Sequence, residues 1–197
     1  MKTLALPWAE FALVIRDGGD VDAFSQEELA EAGAYRLQKR REEWMHARFA
    51  AKALARSRKI CANLRDCRVT RPVLVIDGVP SAWHVSISHS HPYAGAAIDR
   101  APIGIDVQVV RALSESAAHL FLSDEEIAAM QRCTLPHRLL HFWCAKEAAW
   151  KRRSGEFNTL RQLPLILRDE REDALVFDDA ETIAIDDAIV ALSRSTV

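Results

Sequence analysis

The chain has few residues that interrupt regular structure or cross-link it. Its 197 residues include only seven glycines, seven prolines and four cysteines. The cysteines show no CxxC spacing, which argues against a zinc site or a secreted disulfide framework and indicates buried, reduced thiols. The 49% hydrophobic content fits one globular body or two tightly packed halves of about 100 residues each, and it does not indicate disorder.

Long apolar runs and an excess of one charge are also missing. No run approaches the roughly 20 residues that span a bilayer, and the N-terminal apolar stretch meets Glu10 and Arg16 too early for a signal peptide. We therefore expect a cytoplasmic protein without a membrane partner. The net charge of -2 argues against bulk nucleic-acid binding, although it leaves room for a local basic pocket.

Apolar periodicity predicts a mixed α/β (α+β) fold. Capping-box signatures begin helical patterns at Ser25 and Ser123, and the first pattern continues to about Ser57. A further helix is predicted from about His137, after Pro136. The segments with strand character are 10–16, 69–76, 85–88, 93–98, 103–109, 163–167, 174–177 and 183–192.

An internal repeat appears when the chain is shifted by 98 positions, without a gap. The superimposed polar pairs include Ser25 on Ser123, Glu28 on Glu126 and Arg48 on Lys146. The repeat predicts two similar α/β halves, residues 1–100 and 101–197, which pack as one monomeric unit and are related by a pseudo-twofold axis. We expect the active site at the seam, because ligand clefts prefer such places.

Positive side chains are concentrated between Arg36 and Arg58. Within this stretch Arg48 and Lys52 are one helical turn apart, so the two could hold an anionic ligand on one face of a helix. The alternative is a solvated helix face, since exposed lysine and arginine are the rule.

The end of the strand that begins at Trp83 is unusually polar. Ser88 and His89 arrive where the chain must turn, and a hydroxyl or an imidazole there can donate to phosphate oxygens. A polar turn with a capping serine is the alternative. His89 and His91 also form an HxH pair that could bind zinc, but no third ligand has a recognisable spacing.

Asp106 lies in an apolar strand, where an unpaired carboxylate would be unfavourable. Alternation places Gly104, Asp106 and Gln108 on one face, and Gly104 permits close approach of a ligand or a neighbouring backbone. Oxygen ligands on such a face suit Mg²⁺. A core aspartate paired with an arginine is the alternative.

The predicted helix from His137 carries an acid and a base on one stripe. Trp143, Glu147 and Lys151 follow each other at intervals of four residues, so Glu147 and Lys151 lie beside an apolar side chain. A surface Glu-Lys pair is common, and the coincidence with Asp106 is what favours a site.

These segments resemble the three motifs of the 4'-phosphopantetheinyl transferases, in particular their larger, pseudo-dimeric class. The matching segments are residues 85–90, Ile103-Gly-Ile-Asp106, and residues 142–148 with Lys151. The resemblance covers about Ser25 to Gly155. It implies an Mg²⁺-dependent transfer of the phosphopantetheine arm of coenzyme A to a serine of an apo acyl or peptidyl carrier protein, with release of adenosine 3',5'-bisphosphate.

The resemblance implies the catalytic and metal-binding roles. Asp106 and Glu147 are expected to bind the metal, and Glu147 is also the expected base for the carrier serine. Lys151 is expected to contact phosphate and to protonate or neutralise the leaving group. Many members of the family have an acid where this chain has Gln108. The amide can still coordinate the metal or hold a metal-bound water, but it adds no charge, so weaker metal binding is expected.

The resemblance also implies the coenzyme A contacts. Ser88 and His89 match the pair that holds the phosphates of coenzyme A. Arg48 and Arg71 are expected to clamp its 3'-phosphate region, and Arg36 is a further candidate.

Two other functions stay open at this point. One is a coenzyme A or carrier-binding protein without full catalysis, which Gln108 favours. The other is an unrelated His-rich metalloenzyme that uses His84, His89 and His91.

Overall fold

A computed structural model describes residues 2–195 of the chain. The chain divides into two compact units, Met1–Pro102 (unit 1) and Ile103–Val197 (unit 2), and each contains one antiparallel sheet. The mixture of helices and strands confirms the predicted α/β class, whereas the pseudo-twofold relation stays a prediction. Across the described residues, no helix is long and apolar enough to cross a membrane.

Unit 1 combines two α-helices with a sheet whose strand order is β1-β2-β6-β5-β4-β3. In chain order its elements are β1 (Lys2–Thr3), β2 (Ala12–Arg16), α1 (Gln26–Gly33), α2 (Gln38–Ser57), β3 (Cys67–Thr70), β4 (Val73–Ile76), β5 (Val79–Ser90) and β6 (Tyr93–Asp99).

The core of unit 1 lies between α2 and the sheet. The buried positions of α2 include Ala47, Ala50, Ala51 and Leu54, which recur at helical spacing and form one apolar stripe. Three of these four side chains are a single methyl group, so the helix backbone can approach the sheet closely. Of the residues predicted to contact coenzyme A, Arg48 lies on α2 and Ser88 and His89 lie on β5, whereas Arg36 and Arg71 lie in connections.

Unit 2 has the strand order β7-β11-β10-β9-β8 and two α-helices. In chain order its elements are β7 (Ile103–Val109), α3 (Asp124–Arg132), α4 (Arg138–Arg152), β8 (Leu167–Glu170), β9 (Ala174–Phe177), β10 (Glu181–Ile185) and β11 (Ala188–Arg194).

Gly104 determines how closely α4 packs on β7. A Cβ atom added at Gly104 would lie 1.9 Å from the carbonyl oxygen of Ala148 in α4. Any side chain would therefore push the helix away from the strand. Of the two roles considered for Gly104, the structure supports the approach of a neighbouring backbone.

Both predicted capping boxes are confirmed. Ser25 and Glu28 exchange hydrogen bonds at the start of α1, and Ser123 and Glu126 do so at the start of α3. The pattern from Ser25 to Ser57 is two helices rather than one, because α1 ends at Gly33 and α2 begins at Gln38.

Three strand predictions need correction. Segment 69–76 is the hairpin β3–β4, because Arg71-Pro72 forms the turn and proline has no N–H to donate to a ladder. Segment 183–192 is the hairpin β10–β11, which turns at Asp186 with a φ of 52°. Segment 163–167 is not a strand before Leu167, and its alternating apolar residues are instead buried in the core of unit 2.

The gapless repeat also needs correction. It places Arg48 opposite Lys146, but the lysine that pairs with the capping-box glutamate in unit 1 is Lys52. Lys52 follows Glu28 by 24 residues and Lys146 follows Glu126 by 20, so unit 1 has four extra residues, about one helical turn, in between. A constant register cannot represent this insertion.

All four cysteines are buried and free, as the absence of a CxxC spacing predicts.

Candidate active site

Asp106 is the most buried carboxylate of the predicted site, with 2% of its surface exposed in the middle of β7. Its Oδ1 atom accepts a hydrogen bond from Lys151 Nζ at 2.7 Å, and its Oδ2 atom accepts one from Gln108 Nε2 at 2.9 Å. A lysine thus compensates the charge of Asp106, whereas the alternative from the sequence named an arginine for this role.

Lys151 extends from the last turn of α4 toward β7. Besides the Asp106 carboxylate it contacts the carbonyl oxygen of Ile105 at 3.0 Å, and its side chain is 26% exposed. An ammonium group held this way is fixed on one side by the strand and still accessible on the other.

Glu147 lies one helical turn before Lys151 and is half-buried. Burial raises the pKa of Glu147, and the negative charge of Asp106 raises it further, while the positive charge of Lys151 lowers it. Asp106 and Glu147 are therefore close enough to repel each other. Two such carboxylates favour a bound cation, which reduces the repulsion between them.

The predicted polar face of β7 is confirmed. Gly104 and Asp106 lie two residues apart on the face that α4 covers, and Gln108 follows on the same face. The close approach at Gly104 places the turn of α4 that carries Glu147 next to Asp106.

No group of three or more His, Cys, Asp or Glu side chains within residues 2–195 is placed to hold a metal ion. The metalloenzyme hypothesis with His84, His89 and His91 thus gains no support. Asp106 and Glu147 are only two carboxylates, but two is a usual number for Mg²⁺, which keeps several waters and takes its other ligands from substrate phosphates. Their mutual repulsion is the kind that a divalent cation relieves, so these residues fit such an ion.

In unit 1, Arg48 and Arg71 are brought together. The Arg48 guanidinium stacks on the Trp44 ring at 3.8 Å, and it donates to the Trp44 carbonyl at 3.4 Å. Burial lowers the pKa of Arg48, and the positive charge of Arg71 lowers it further, while Tyr35, Glu31 and Glu28 raise it. Two arginines near each other are suited to bind phosphate.

The predicted anion-binding pair of Arg48 and Lys52 is wrong. Lys52 is fully buried, and its ammonium group donates to Glu28 at 2.8 Å and to the carbonyl of Leu64 at 2.8 Å. A lysine with both partners inside the core cannot reach a ligand. Arg36 is exposed in the connection between α1 and α2, and its role stays a prediction.

Ser88 and His89 are adjacent in β5 and therefore point to opposite faces of the sheet. Ser88 is buried, whereas His89 is exposed and lines a cavity of about 320 Å³ with His46 and His91. Burial lowers the pKa of His46, and the charges of His91 and His89 lower it further, while Asp17 raises it.

The same cavity has an acidic lining. Four carboxylates, from Asp17, Asp20, Glu42 and Glu43, line it together with a single lysine, Lys39. Such a lining disfavours phosphate, so Arg48 and Arg71 are the better candidates for the phosphate contacts of unit 1.

The sequence assigns no role in the site to two buried groups, Cys144 and Lys146. Cys144 is fully buried next to Asp106, and burial followed by the charge of Asp106 raises the pKa of its thiol well above the ordinary value. Lys146 is fully buried and paired with Glu126. The capping box points to Glu126 but not to its distant lysine, because a capping pattern is local.

The geometry defines a general class of site. A buried aspartate on a strand, with a glutamate and a lysine one turn apart on the packed helix, supplies negative ligands and a positive group for metal-assisted phosphate chemistry. A family model described as the 4'-phosphopantetheinyl transferase superfamily matches residues 102–190, which include Asp106, Glu147 and Lys151. The match covers 89 of the 197 residues and supports phosphopantetheine transfer as the general activity. The comparison with curated proteins finds no match.

Proposed function

We propose that this protein transfers the 4'-phosphopantetheine group of coenzyme A to a serine of an apo acyl or peptidyl carrier protein and releases adenosine 3',5'-bisphosphate. The observation that supports this most is the arrangement of Asp106, Glu147 and Lys151 within the segment that matches the family model. The topology of the two units, each a sheet covered by a helix, supports the larger, two-unit class of the family.

Asp106 and Glu147 are the residues that would hold Mg²⁺, with the Gln108 amide oxygen as a direct or water-mediated third contact. When bound, the ion supplies positive charge to the pyrophosphate of coenzyme A and to the leaving phosphate. Gln108 donates to Asp106 in the structure, so its amide would have to turn to present its oxygen.

Glu147 is the proposed general base. Burial and the charge of Asp106 raise its pKa, which makes it a stronger base than an exposed glutamate. The carboxylate takes the proton of the carrier serine, and the serine oxygen forms a bond to the β-phosphorus of coenzyme A. The bond from that phosphorus to the departing phosphate oxygen breaks. Lys151 stabilises the negative charge on the adenosine 3',5'-bisphosphate.

Unit 1 is proposed to bind the phosphates of coenzyme A. Arg48 is held in place by Trp44 and lies near Arg71, so this arginine pair is the strongest candidate for the 3'-phosphate. Ser88 and Arg36 are proposed as further phosphate contacts, whereas the acidic lining of the cavity at His89 disfavours that role for His89.

The test is a mass measurement on an apo carrier protein incubated with the purified enzyme, coenzyme A and Mg²⁺. We expect a gain equal to one phosphopantetheine group, which disappears with a chelator or when the carrier serine is replaced by alanine. Several apo carriers should be compared, because carriers differ in the surface that contacts the enzyme. A carrier set that stays unmodified although coenzyme A binds would contradict the proposal.

The second candidate is a coenzyme A or carrier-binding protein with impaired catalysis. Gln108 favours it, because this side chain contributes an amide where many family members have an acid. Calorimetry with coenzyme A separates the two functions, since this alternative predicts binding without any change in carrier mass.

A further inference from the structure

Lys146 is a buried charged residue that the proposed mechanism does not use. Its relative exposure is 0%. The ammonium group donates to Glu126 Oε1 at 2.7 Å, to the carbonyl of Leu160 at 3.2 Å and to the carbonyl of Leu163. These three acceptors match the three N–H donors of a lysine. Burial and three acceptors hold the ammonium group of Lys146 in place.

Glu126 connects this lysine to two other segments of unit 2. Its Oε1 atom also accepts from the backbone N–H of Leu165 at 2.8 Å, and its Oε2 atom accepts from the backbone N–H of Ser123 at 2.8 Å. The Lys146–Glu126 pair therefore joins α4, the start of α3 and the chain segment that precedes β8. A charge-paired group with this many hydrogen bonds resists displacement, because moving it would expose unpaired buried charges.

The Lys146–Glu126 pair is called the anchor of unit 2, and its lysine lies on α4 next to residues of the site. Lys146 directly precedes Glu147, and Lys151 follows little more than one turn later. The next residue after Glu147 is Ala148, whose carbonyl packs against Gly104. The same turn of α4 is thus held by an ion pair at Lys146 and by a close backbone contact at Ala148.

We propose that Lys146 is a positioning residue of this site: its pairing with Glu126 fixes the rotation of α4 that presents Glu147 and Lys151 to Asp106. Lys146 itself exchanges no proton and contacts no substrate. This inference rests on the proposed function.

Unit 1 contains an equivalent lysine–glutamate pair, called the anchor of unit 1, without counterparts of Asp106 and Glu147 beside it. Lys52 is also fully buried, and it pairs with Glu28 at 2.8 Å and with the carbonyl of Leu64. The residue after Lys52 is Ala53, and Ser57 stands where unit 2 has Lys151. Loss of the unit 1 anchor should therefore weaken folding without disturbing a carboxylate pair.

The experiment compares Lys146→Met with Lys52→Met in the full-length protein, at a temperature where thermal melts show both variants folded. The quantities are kcat with a carrier, KM for coenzyme A, and the Mg²⁺ concentration for half-maximal rate. We expect Lys146→Met to lower kcat about 10- to 100-fold and to raise the Mg²⁺ midpoint, since small misplacements of catalytic groups have effects of that size. Lys52→Met should lose similar thermal stability and keep kcat and the Mg²⁺ midpoint within about twofold.

Several results would overturn the inference. A wild-type enzyme that modifies the carrier, together with a Lys146→Met variant of normal kcat and Mg²⁺ midpoint, rejects the inference and leaves the proposed function intact. Equal losses of kcat in both lysine variants would also reject it, because they would reflect general destabilisation. A wild-type protein that modifies no carrier removes the proposed function, and the inference with it.

A variant that does not fold is replaced by the double variant Glu126→Gln/Lys146→Met. Removing both charges avoids a single unpaired buried charge and is expected to restore folding. The positioning role predicts that this folded double variant still has the lowered kcat and raised Mg²⁺ midpoint. Normal values of both would contradict the role.

Discussion

Each unit contains a buried lysine–glutamate pair, and the units differ in the residues that follow the lysine. In each unit a capping-box glutamate at the start of a short helix pairs with a buried lysine of the long helix, Glu28 with Lys52 and Glu126 with Lys146. The strand order of unit 2, β7-β11-β10-β9-β8, also has the connectivity of β2-β6-β5-β4-β3 in unit 1. A common scaffold thus occurs twice in the chain.

The two acids of the candidate site, Asp106 and Glu147, lie in unit 2 and have no equivalent in unit 1. Glu147 follows the buried lysine of unit 2, whereas Ala53 follows that of unit 1. The edge strand that carries Asp106 in unit 2 corresponds to β2, whose sequence Ala-Leu-Val-Ile-Arg has no acid. The same strand order therefore occurs with and without the candidate site, and a few side chains on one helix and one strand distinguish the two units.

Replacing Glu147, which has no equivalent in unit 1, should reduce the activity more than any other change. Glu147→Gln keeps the shape of the side chain and removes its charge and its basicity, so the transfer rate should fall by about 10³-fold. Mass-detected initial rates with coenzyme A and an apo carrier measure it. Glu42→Gln, at an exposed glutamate of α2, is the control and should keep the wild-type rate. A Glu147→Gln variant within tenfold of wild type would remove this residue from the mechanism.

A second test compares the substitution of one glycine in each unit. Gly104→Ala would place a Cβ atom 1.9 Å from the Ala148 carbonyl, so the strand and α4 must separate. We expect a loss of about 3 kcal/mol in the free energy of unfolding, together with lower transfer activity. Urea denaturation measures the first quantity.

Gly33→Ala is the matched control in unit 1. A Cβ atom at Gly33 meets nothing within 4 Å, and the residue ends α1, so the substitution should leave stability unchanged or raise it by up to about 1 kcal/mol. Equal losses in the two variants would show that the close approach at Gly104 has no special importance.

The third test measures the stability of the protein at acidic pH. His141 is buried in α4 and bonds Thr182 Oγ1 at 2.8 Å, and burial lowers its pKa from 6.5 to about 4. The position five residues before the buried lysine is His141 in unit 2 and Ala47 in unit 1, so His141 has no equivalent in unit 1. The lowered pKa of His46 makes a separate contribution in unit 1, which the comparison with His141→Gln leaves unchanged. Above the unfolded pKa both states hold a neutral imidazole. As the pH falls below 6.5, the unfolded chain binds the proton first, and the folded state is progressively destabilised.

Most of this loss should occur between the two pKa values and amount to about 3 kcal/mol in the free energy of unfolding. Urea denaturation of the wild type and of His141→Gln across this range measures it. The variant should lack this part of the pH dependence, because glutamine does not titrate. The same pH dependence in both proteins would assign the acid sensitivity to other groups.

The sequence predicts the fold well wherever a signal is local. The capping boxes at Ser25 and Ser123 fix two helix starts, and alternation gives β7 and β9 with their observed ends. The hairpins β3–β4 and β10–β11 are each predicted as one strand, although Arg71-Pro72 and Asp186-Asp187 interrupt the apolar residues. These polar turn residues are the local signal that the strand prediction missed.

The candidate site is predictable to the same extent. Asp106, Glu147 and Lys151 follow from strand alternation, helical spacing and family resemblance, and the structure brings them together. The partners of the buried lysines are not predictable, because Lys146 and Glu126 are 20 residues apart and their pairing depends on how α3 and α4 pack. Arg48 and Lys52 show the same limit, since spacing alone cannot tell a core lysine from a surface one.

A fourth test examines the contribution of a basic residue of unit 1 to the binding of coenzyme A. Arg48→Gln removes one of two adjacent positive charges and should raise KM for coenzyme A about tenfold with little change in kcat, because a charged hydrogen bond to phosphate contributes about 1.5 kcal/mol or more. Arg56→Gln, at an exposed arginine in the last turn of α2, is the control and should leave KM unchanged. If kcat falls while KM stays constant, Arg48 acts on the reaction itself and the division between the units is wrong.

The smallest expected effect concerns Gln108. Gln108→Glu removes the hydrogen bond to Asp106 and places a third carboxylate beside Asp106 and Glu147. Without metal the added repulsion should slightly lower stability, and with metal the extra charge should lower the Mg²⁺ midpoint by about three- to tenfold. Gln131→Glu, at an exposed position of α3, adds the same charge to unit 2 at a distance and should not move the midpoint. An unchanged midpoint in Gln108→Glu would mean that this residue positions Asp106 and is not near the ion.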